Sequence, residues 1–310
     1  MSNRLRIIFM GTPEFAVASL QALVEASYEV VAVVTAPDKP AGRGLKVNIS
    51  PVKAYALQQN IPVLQPEKLK NKVFLEELKS YRADLQIVVA FRMLPEVVWN
   101  MPALGTFNLH ASLLPQYRGA APINWAVING ETESGVTTFF LQHEIDTGKI
   151  IFQEKVPVGE DDTAGVLYDR LMQTGAGLVV KTVEAIQEGN YTGIEQEETS
   201  DLKAAPKIFR EVCEINWNLP AAQIRNLIRG LSPYPAAWTT INGKSAKVFK
   251  ASITGENDGT PVGTITTDNK KFFHVKTADS WIALEEIQIE GKKKMPVEEL
   301  LRGFKPENIL

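Results

Sequence analysis

Hydrophobic residues in the first part of the chain form short continuous runs, which alternate with segments that carry helix-start signals. The apolar runs lie at residues 5–10, 30–35, 85–90, 105–110, 135–141 and 149–152. Helices are predicted to begin at Thr12-Pro13, with Thr12 as the N-cap, and at Ser50-Pro51, Asn71, Pro95 and Thr163. Uniformly apolar strands are typical of a parallel sheet that helices cover on both faces. The alternation therefore predicts an α/β fold with a doubly wound, mostly parallel, Rossmann-like sheet over residues 1–189.

The pattern changes after residue 189. Residues 190–206 are polar and irregular, which predicts a solvated linker. A helical stretch at 221–231 is followed by short strands, and Asn242-Gly243 separates the apolar-polar segments 239–241 and 247–249. Asn-Gly between two such segments is a strong hairpin signal. We therefore predict a second, smaller domain over residues 207–310, built as a small β-barrel.

Composition narrows the class of protein. At 310 residues and 45% hydrophobic content, the chain can form two packed cores. Its single cysteine, Cys213, excludes an intramolecular disulfide and a cysteine-based metal cluster, which favours a cytoplasmic location. No apolar run has the length of a signal-peptide core or the roughly 18 residues of a membrane span. A net charge of −3 argues against general nucleic-acid binding, so any such contact needs a local basic patch.

Two nucleotide-binding motifs are absent from the predicted parallel sheet. The first strand ends in Gly11-Thr12-Pro13, without the second and third glycines that let a pyrophosphate approach the start of a helix. The chain also contains no P-loop sequence. Both observations argue against a nicotinamide enzyme or an NTPase.

Asn108 and His110 are the first candidates for chemistry. They are two residues apart on a predicted strand and therefore share one face, at the end of the sheet where ligands bind in open α/β folds. The carboxylate of Asp146 follows another apolar strand. A His–Asp pair can handle protons near neutral pH, and an asparagine amide can donate to an oxyanion. The trio suits acyl transfer to a nitrogen, although a histidine satisfied by core hydrogen bonds is the plainer interpretation of His110 alone.

Other candidates have weaker support. The loop at residues 36–46 combines glycines with Lys39, Arg43 and Lys46, and is equally a mobile solvated loop or a phosphate-contacting arm. Residues 292–294, three consecutive lysines, are best explained as a charged turn. His143 and His274 have no catalytic partners nearby in the sequence, so we interpret them as surface or packing residues.

The motifs taken together resemble the folate-dependent formyltransferases over nearly the whole chain. The matching segments of the first domain are 11–16, 37–44, 50–53, 108–115, 118–123 and 146–148, and those of the second domain are 215–217, 228–231, 233–238 and 247–249. The block from Asn108 to Pro115 is shared by the wider family. The loop at 37–46, combined with this second domain, indicates the tRNA-modifying branch of the family.

The resemblance implies a reaction and a set of roles. The formyl donor would be 10-formyltetrahydrofolate, and the acceptor would be the α-amino group of methionine on initiator tRNA, for translation initiation. Asn108, His110 and Asp146 match the catalytic trio. Ser112, Leu113, Leu114 and Pro115 match the segment that holds the tetrahydrofolate. The loop with Lys39, Arg43 and Lys46 would reach the acceptor end of the tRNA, and an OB-like barrel at 207–310 would bind its body. The family requires no metal, and we expect a monomer that does not bind membranes.

Two positions depart from the family pattern. Arg92 stands where a glycine is usual, close to the predicted pterin side of the pocket, and Gln142-His143-Glu144 replaces the more common Asp-x-Gly before Asp146. Two other functions remain open at this point. One is formyl transfer to a small amine such as a nucleotide sugar, and the other is RNA binding on a formyltransferase scaffold without catalysis.

Overall fold

The structure is a computed structural model that describes residues 5–41 and 46–309. Its strands are β1 (Arg6–Gly11), β2 (Glu29–Val34), β3 (Lys39–Ala41), β4 (Lys46–Asn48), β5 (Val63–Leu64), β6 (Leu85–Val89), β7 (Thr106–His110), β8 (Arg118–Gly119), β9 (Glu133–Phe140), β10 (Ile150–Pro157), β11 (Ala204–Ala205), β12 (Ala237–Ile241), β13 (Lys244–Thr254), β14 (Ile265–Thr267), β15 (Phe273–Lys276), β16 (Trp281–Ile289) and β17 (Met295–Pro296). The α-helices are α1 (Glu14–Glu25), α2 (Pro51–Gln58), α3 (Lys72–Ser80), α4 (Glu96–Trp99), α5 (Pro122–Ile128), α6 (Ala164–Glu188), α7 (Ala221–Gly230) and α8 (Val297–Leu301).

A seven-stranded sheet forms the centre of the first part of the chain. Its order is β10-β9-β7-β6-β1-β2-β5, and the five strands from β7 to β5 in this order run parallel. Strand β9 pairs antiparallel with β7. Side chains such as Phe9, Ile87 and Phe107 are fully buried, as expected when a sheet is covered on both faces. The predicted doubly wound, mostly parallel sheet is confirmed.

Side-chain capping explains where α2 and α3 begin. The hydroxyl of Ser50 accepts a hydrogen bond from the backbone N–H of Lys53, and the carboxamide oxygen of Asn71 accepts one from Val73. The predicted start of α1 was wrong by one position. Pro13 occupies the N-cap position with extended backbone, and helix α1 begins at Glu14. The backbone N–H of an N-cap residue makes no hydrogen bond within the helix, so proline, which lacks this group, is tolerated at the N-cap.

The chain divides into two compact units, and each contains segments from distant parts of the sequence. The first contains residues up to Gly119, together with Gly135–Val156 and Tyr168–Ala204. The second contains Ala120–Ser134, Pro157–Leu167 and the chain from Ala205 onward. Helix α5, which the sequence pattern did not predict, therefore belongs to the second unit. The boundaries predicted at residues 189 and 207 stay a prediction.

The second unit is built on a six-stranded antiparallel sheet. Its strands follow the order β12-β13-β16-β15-β14, and β17 pairs with β16. The predicted hairpin is confirmed, because Ile241 pairs with Lys244 across the two-residue turn Asn242-Gly243. Both turn residues have positive φ, at 49° and 72°, which explains the asparagine and the glycine. In the described part of the chain, no helix is both long and apolar enough to cross a membrane.

Candidate active site

The carboxyl ends of three neighbouring parallel strands meet at one edge of the first sheet. They are Gly11 of β1, Val89 of β6 and His110 of β7. Loops that follow such strand ends form the ligand crevice in open α/β sheets. Asn108 and His110 occupy one face of β7, and the intervening Leu109 is buried on the other face, as the strand period predicts.

The ring of His110 is buried and has a defined hydrogen-bond partner. Its Nε2 lies 2.9 Å from the backbone oxygen of Tyr117. A carbonyl oxygen can only accept, so Nε2 carries the hydrogen and donates it. In the neutral ring the lone pair is then on Nδ1. That nitrogen is 3.9 Å from Oδ2 of Asp146, which brings the two residues together as predicted from the sequence.

Asp146 lies in the turn that connects β9 with β10. Its backbone has a φ of 58°, in the left-handed region, which aspartate tolerates better than most residues. Oδ2 of its side chain accepts a hydrogen bond of 3.0 Å from the backbone N–H of Gly119. This oxygen therefore contacts the loop that follows β7 and also faces the His110 ring.

Asn108 is half-buried on the same strand face as His110. It pairs with Val88 of β6 on one side and with Phe139 of β9 on the other. A carboxamide at this position can donate to an oxyanion that forms at the edge of the sheet. The strand therefore carries both an amide donor and an imidazole toward the same crevice.

The predicted folate segment is held by a compact hydrogen-bond network. Thr137 donates its hydroxyl hydrogen to the backbone oxygen of Ser112 at 2.6 Å, and accepts from the N–H of Leu114 at 3.1 Å. Gln153 donates to the backbone oxygen of Leu114 at 2.8 Å. The side chains of Ser112 and Leu114 are buried, whereas Leu113 and Pro115 are half-buried. The backbone of Ser112 and Leu114 thus holds the loop, and Leu113 and Pro115 are the more exposed side chains of this segment.

Two of the three predicted tRNA contacts fall on a short β-hairpin. Lys39 lies on β3 and Lys46 on β4, and the two strands pair antiparallel, with Ala41 opposite Lys46. Arg43 lies outside the described residues. The base of this hairpin is tied down at Asp38, whose carboxylate accepts hydrogen bonds from Lys53 Nζ and Gln65 Nε2. These bonds, first from Lys53 and then from Gln65, lower the pKa of Asp38.

The remaining candidates make contacts with neighbouring side chains at the surface. His143 is exposed and lies edge-on to the ring of Trp99, with its Nε2 3.6 Å from a carboxylate oxygen of Glu96. Of the three consecutive lysines, Lys293 pairs with Glu299 and Lys294 with Glu286, which agrees with a charged turn. Over residues 5–41 and 46–309, no group of three or more His, Cys, Asp or Glu side chains is arranged to hold a metal ion.

Comparison with known proteins identifies the family. Residues 4–183 match the model of the formyl transferase family, and residues 207–305 match the model of its C-terminal domain. The chain belongs to the formyl transferase family. It is 57% identical over 309 residues to the methionyl-tRNA formyltransferase of Bacteroides thetaiotaomicron, with 97% of this chain and 96% of that protein covered. It is also 57% identical over 311 residues to the methionyl-tRNA formyltransferase of Parabacteroides distasonis, with 97% and 96% covered.

A solved structure shares the same fold at lower identity. WlaRD, a sugar 3N-formyl transferase studied in the presence of dTDP and 5-N-formyl-THF, is 23% identical to this chain. The TM-score is 0.68, and the match covers 94% of this chain and all of that chain. This likeness concerns the formyl transferase fold alone.

The structure explains how this formyl transferase accommodates Arg92. Its guanidinium donates to the backbone oxygens of Pro66 and Glu67, the latter at 2.8 Å. The left-handed residue of this loop is Ala90, with a φ of 48°. The long side chain is thus bound by backbone carbonyls of the loop after β5.

Two residues of the site were not found by sequence reasoning. Gln196 lies in the segment predicted as a solvated linker, yet its side-chain amide binds the turn that carries Asp146. Arg118 was part of a motif but had no assigned role, and it binds Gln196. A glutamine and an arginine in polar surroundings carry no distinguishing pattern, so the only signal available was the motif that contains Arg118.

Proposed function

We propose that this chain transfers the formyl group of 10-formyltetrahydrofolate to the α-amino group of methionine on initiator methionyl-tRNA, for translation initiation. The observation that carries this proposal is the 57% identity to methionyl-tRNA formyltransferases over 97% of the chain. The match to both formyl transferase models supports the reaction type. Membership of the formyl transferase family supports a folate donor, and so does the presence of 5-N-formyl-THF with the related enzyme WlaRD.

His110 is proposed as the proton acceptor. The amine nitrogen forms a bond to the formyl carbon and must lose a proton, and the bond from that carbon to N10 of the folate breaks as N10 takes up a proton. The lone pair on Nδ1 of His110 is available for the amine proton, because Nε2 already donates to Tyr117. Asp146, 3.9 Å from Nδ1, stabilises the imidazolium that results.

Asn108 is proposed to stabilise the negative charge that develops on the formyl oxygen. Its half-buried carboxamide lies on the same strand face as His110, so both groups can act on one carbon atom. The half-buried side chains of Leu113 and Pro115 would contact the folate, and the backbone held by Thr137 would keep their loop in place.

The acceptor end of the tRNA is proposed to contact the hairpin β3–β4. Lys39 and Lys46 belong to its two strands, and Asp38, bound by Lys53 and Gln65, links the hairpin to the rest of the first unit. Arg43, which is outside the described residues, is proposed as a third contact. The second unit would bind the tRNA body. A single chain would then contact the substrate at two places. We propose that it acts as a cytoplasmic monomer.

Formyl transfer to an amino sugar is the second candidate, because WlaRD shares the fold. Its identity of 23% is well below the 57% to the tRNA-modifying relatives. The test is incubation with labelled 10-formyltetrahydrofolate and each of three acceptors: methionyl-tRNA, uncharged tRNA and an amino-sugar nucleotide. We expect label on methionyl-tRNA only. Label on the sugar would replace the proposal, and salt-sensitive tRNA binding without any transfer would indicate a non-catalytic RNA-binding protein.

A further inference from the structure

The polar segment at residues 194–203 is fastened to the first unit at both ends. At one end Ile194 and Ile150 exchange two backbone hydrogen bonds, of 2.8 and 2.9 Å. At the other end the backbone oxygen of Lys203 accepts from the N–H of Tyr117 at 2.6 Å, and the backbone N–H of Lys203 donates to Oε1 of Gln116 at 2.8 Å. We call residues 194–203 the brace, because the segment binds the strand after Asp146 and also the loop after His110.

Gln196 of the brace uses its full hydrogen-bonding capacity on these two loops. Its Nε2 donates to the backbone oxygens of Asp146 and Gly148, at 2.8 and 2.9 Å. Its Oε1 accepts from Nε and Nη2 of Arg118, at 3.0 and 2.8 Å. A carboxamide has two donor hydrogens and two acceptor lone pairs, so every position is occupied.

The turn that Gln196 binds has an unusual backbone. Asp146 is left-handed, and a Cβ atom on Gly148 would overlap the carbonyl oxygen of Phe140. This conformation aims the Asp146 carboxylate at the N–H of Gly119 and toward His110. By binding the carbonyls on either side of Thr147, the Gln196 amide holds the turn in that conformation.

Arg118 links the brace to the second loop. Its Nη1 donates to Oε1 of Glu198 at 2.6 Å, while Nε and Nη2 bind Gln196. The next residue, Gly119, provides the N–H that binds Asp146. Arg118 therefore orients the side-chain amide of Gln196. It is also adjacent in the chain to Gly119, whose N–H donates to Asp146.

We propose that Gln196, oriented by Arg118, is a positioning residue for formyl transfer. It holds the turn Asp146–Gly148 so that the Asp146 carboxylate faces Nδ1 of His110. This inference rests on the proposed roles of His110 and Asp146. It assigns an active-site function to a segment whose composition is that of a solvated connector.

The test compares Gln196→Glu with the wild-type chain. Glutamate keeps the length of the side chain and two acceptor oxygens for Arg118, but it has no hydrogens to donate and places negative charge against two carbonyl oxygens. We expect kcat to fall about tenfold to a hundredfold, as for a misplaced catalytic group, while KM for methionyl-tRNA and for the folate donor is unchanged. Gln196→Met, which also lacks the donors, should lower kcat in the same way.

The matched control is Glu197→Gln, a substitution at the exposed neighbour of Gln196 in the brace. It should leave kcat and KM at wild-type values. Circular dichroism and thermal unfolding verify that each variant is folded. If Gln196→Glu does not fold, Gln196→Met provides the test. A kcat equal to wild type in a folded Gln196 variant, or a rise in KM with kcat unchanged, would overturn the proposal.

A double-mutant cycle separates positioning from a general structural effect. If Gln196 acts through the carboxylate of Asp146, then Gln196→Glu should lower single-turnover rates much less in an Asp146→Asn background than in the wild type. Equal losses in both backgrounds would contradict positioning through Asp146.

The wild-type chain is assayed first. A wild type that does not formylate methionyl-tRNA refutes the proposed function, whereas an active wild type with normal Gln196 variants refutes this inference alone.

Discussion

One ring nitrogen of His110 donates a hydrogen bond, and the other has a lone pair that can accept a proton. Nε2 donates to the Tyr117 carbonyl, which fixes the ring orientation and leaves the lone pair on Nδ1. A histidine buried only for packing would satisfy both nitrogens, or would pack one of them against apolar atoms. Here the second nitrogen faces a carboxylate at the edge of the sheet, which is the arrangement that the proposed proton transfer requires.

Replacing His110 with alanine should separate catalysis from binding. We expect His110→Ala to lower kcat about a hundredfold or more, because proton transfer by a positioned side chain contributes that much. The dissociation constant for tRNA, measured by filter binding, should stay at its wild-type value. His143→Ala, which removes an imidazole whose side chain is 75% exposed, is the control and should be fully active. A nearly normal rate for His110→Ala would refute the assignment.

The turn that carries Asp146 has room for a glycine at position 148 but not for a residue with a Cβ atom. A Cβ at this position would overlap the carbonyl oxygen of Phe140, and backbone cannot move aside easily. We expect Gly148→Ala to lower the free energy of unfolding by about 1–3 kcal/mol, as overpacking does, and to reduce kcat because the turn carries Asp146.

Gly177 in helix α6 is the matched control for that substitution. A Cβ at Gly177 meets no atom within 4 Å, so Gly177→Ala should raise the free energy of unfolding by about 0.5–1 kcal/mol through helix propensity. Urea unfolding of both variants measures the two effects. A Gly148→Ala protein as stable and active as the wild type would show that the turn does not need the close approach.

Among the elements of the second unit, strand β15 carries a histidine that contributes to the pH dependence of stability. His274 lies on β15 between β14 and β16, with its ring 4.7 Å from that of Phe272. Burial lowers the pKa of His274 below its ordinary value of 6.5. The unfolded chain therefore takes up a proton at this residue more readily than the folded chain does.

This difference predicts a loss of stability on acidification. Because the folded-state pKa is the lower one, the contribution of His274 is present above pH 6.5 and is lost as the pH falls through that value toward the folded pKa. The free energy of unfolding should thus fall less between about pH 7.5 and about pH 5.5 in His274→Gln than in the wild type. His143→Gln provides the comparison for loss of an exposed imidazole. An identical pH dependence in His274→Gln and wild type would contradict the prediction.

At the scale of the whole molecule, the second unit takes part of its core from the middle of the chain. Ile128 of α5 packs against the core that includes Ile224 and Ile228 of α7. The carboxamide of Asn124 donates to the backbone oxygen of Gly230 at 2.8 Å. Arg229 is buried, which lowers the pKa of its guanidinium, and its Nη1 donates to the backbone oxygen of Asp162 at 3.0 Å.

A fragment that contains only residues 207–310 should therefore fold poorly. It would expose the face of α7 that contacts Ile128, and it would leave the buried Arg229 without the carbonyl of Asp162. We expect no cooperative thermal transition and poor dispersion in its amide NMR spectrum, in contrast to the full chain. A sharp transition with well-dispersed amides would show that residues 120–134 and 157–167 are dispensable for this unit.

Much of the architecture follows from local pattern. The apolar runs predicted the parallel sheet, and Asn242-Gly243 predicted the hairpin, because burial periodicity and turn geometry act over a few residues. Helix α5 was missed because it is short and begins in an alanine-proline segment that lacks an N-cap side chain. The roles of Asn108, His110 and Asp146 stay a prediction, although the structure brings His110 and Asp146 within 3.9 Å.

The class of fold, the shared strand face of Asn108 and His110, and the family to which the motifs point could all be predicted from the amino-acid sequence. The three-dimensional structure was needed to show that Gln196 binds the turn of Asp146, that Arg118 binds Gln196, and that residues 120–134 belong to the second unit. The physical reason is range. Strand alternation and turn residues report on backbone conformation nearby, whereas a hydrogen bond between distant loops depends on where the whole chain places them, and a polar residue looks the same in either case.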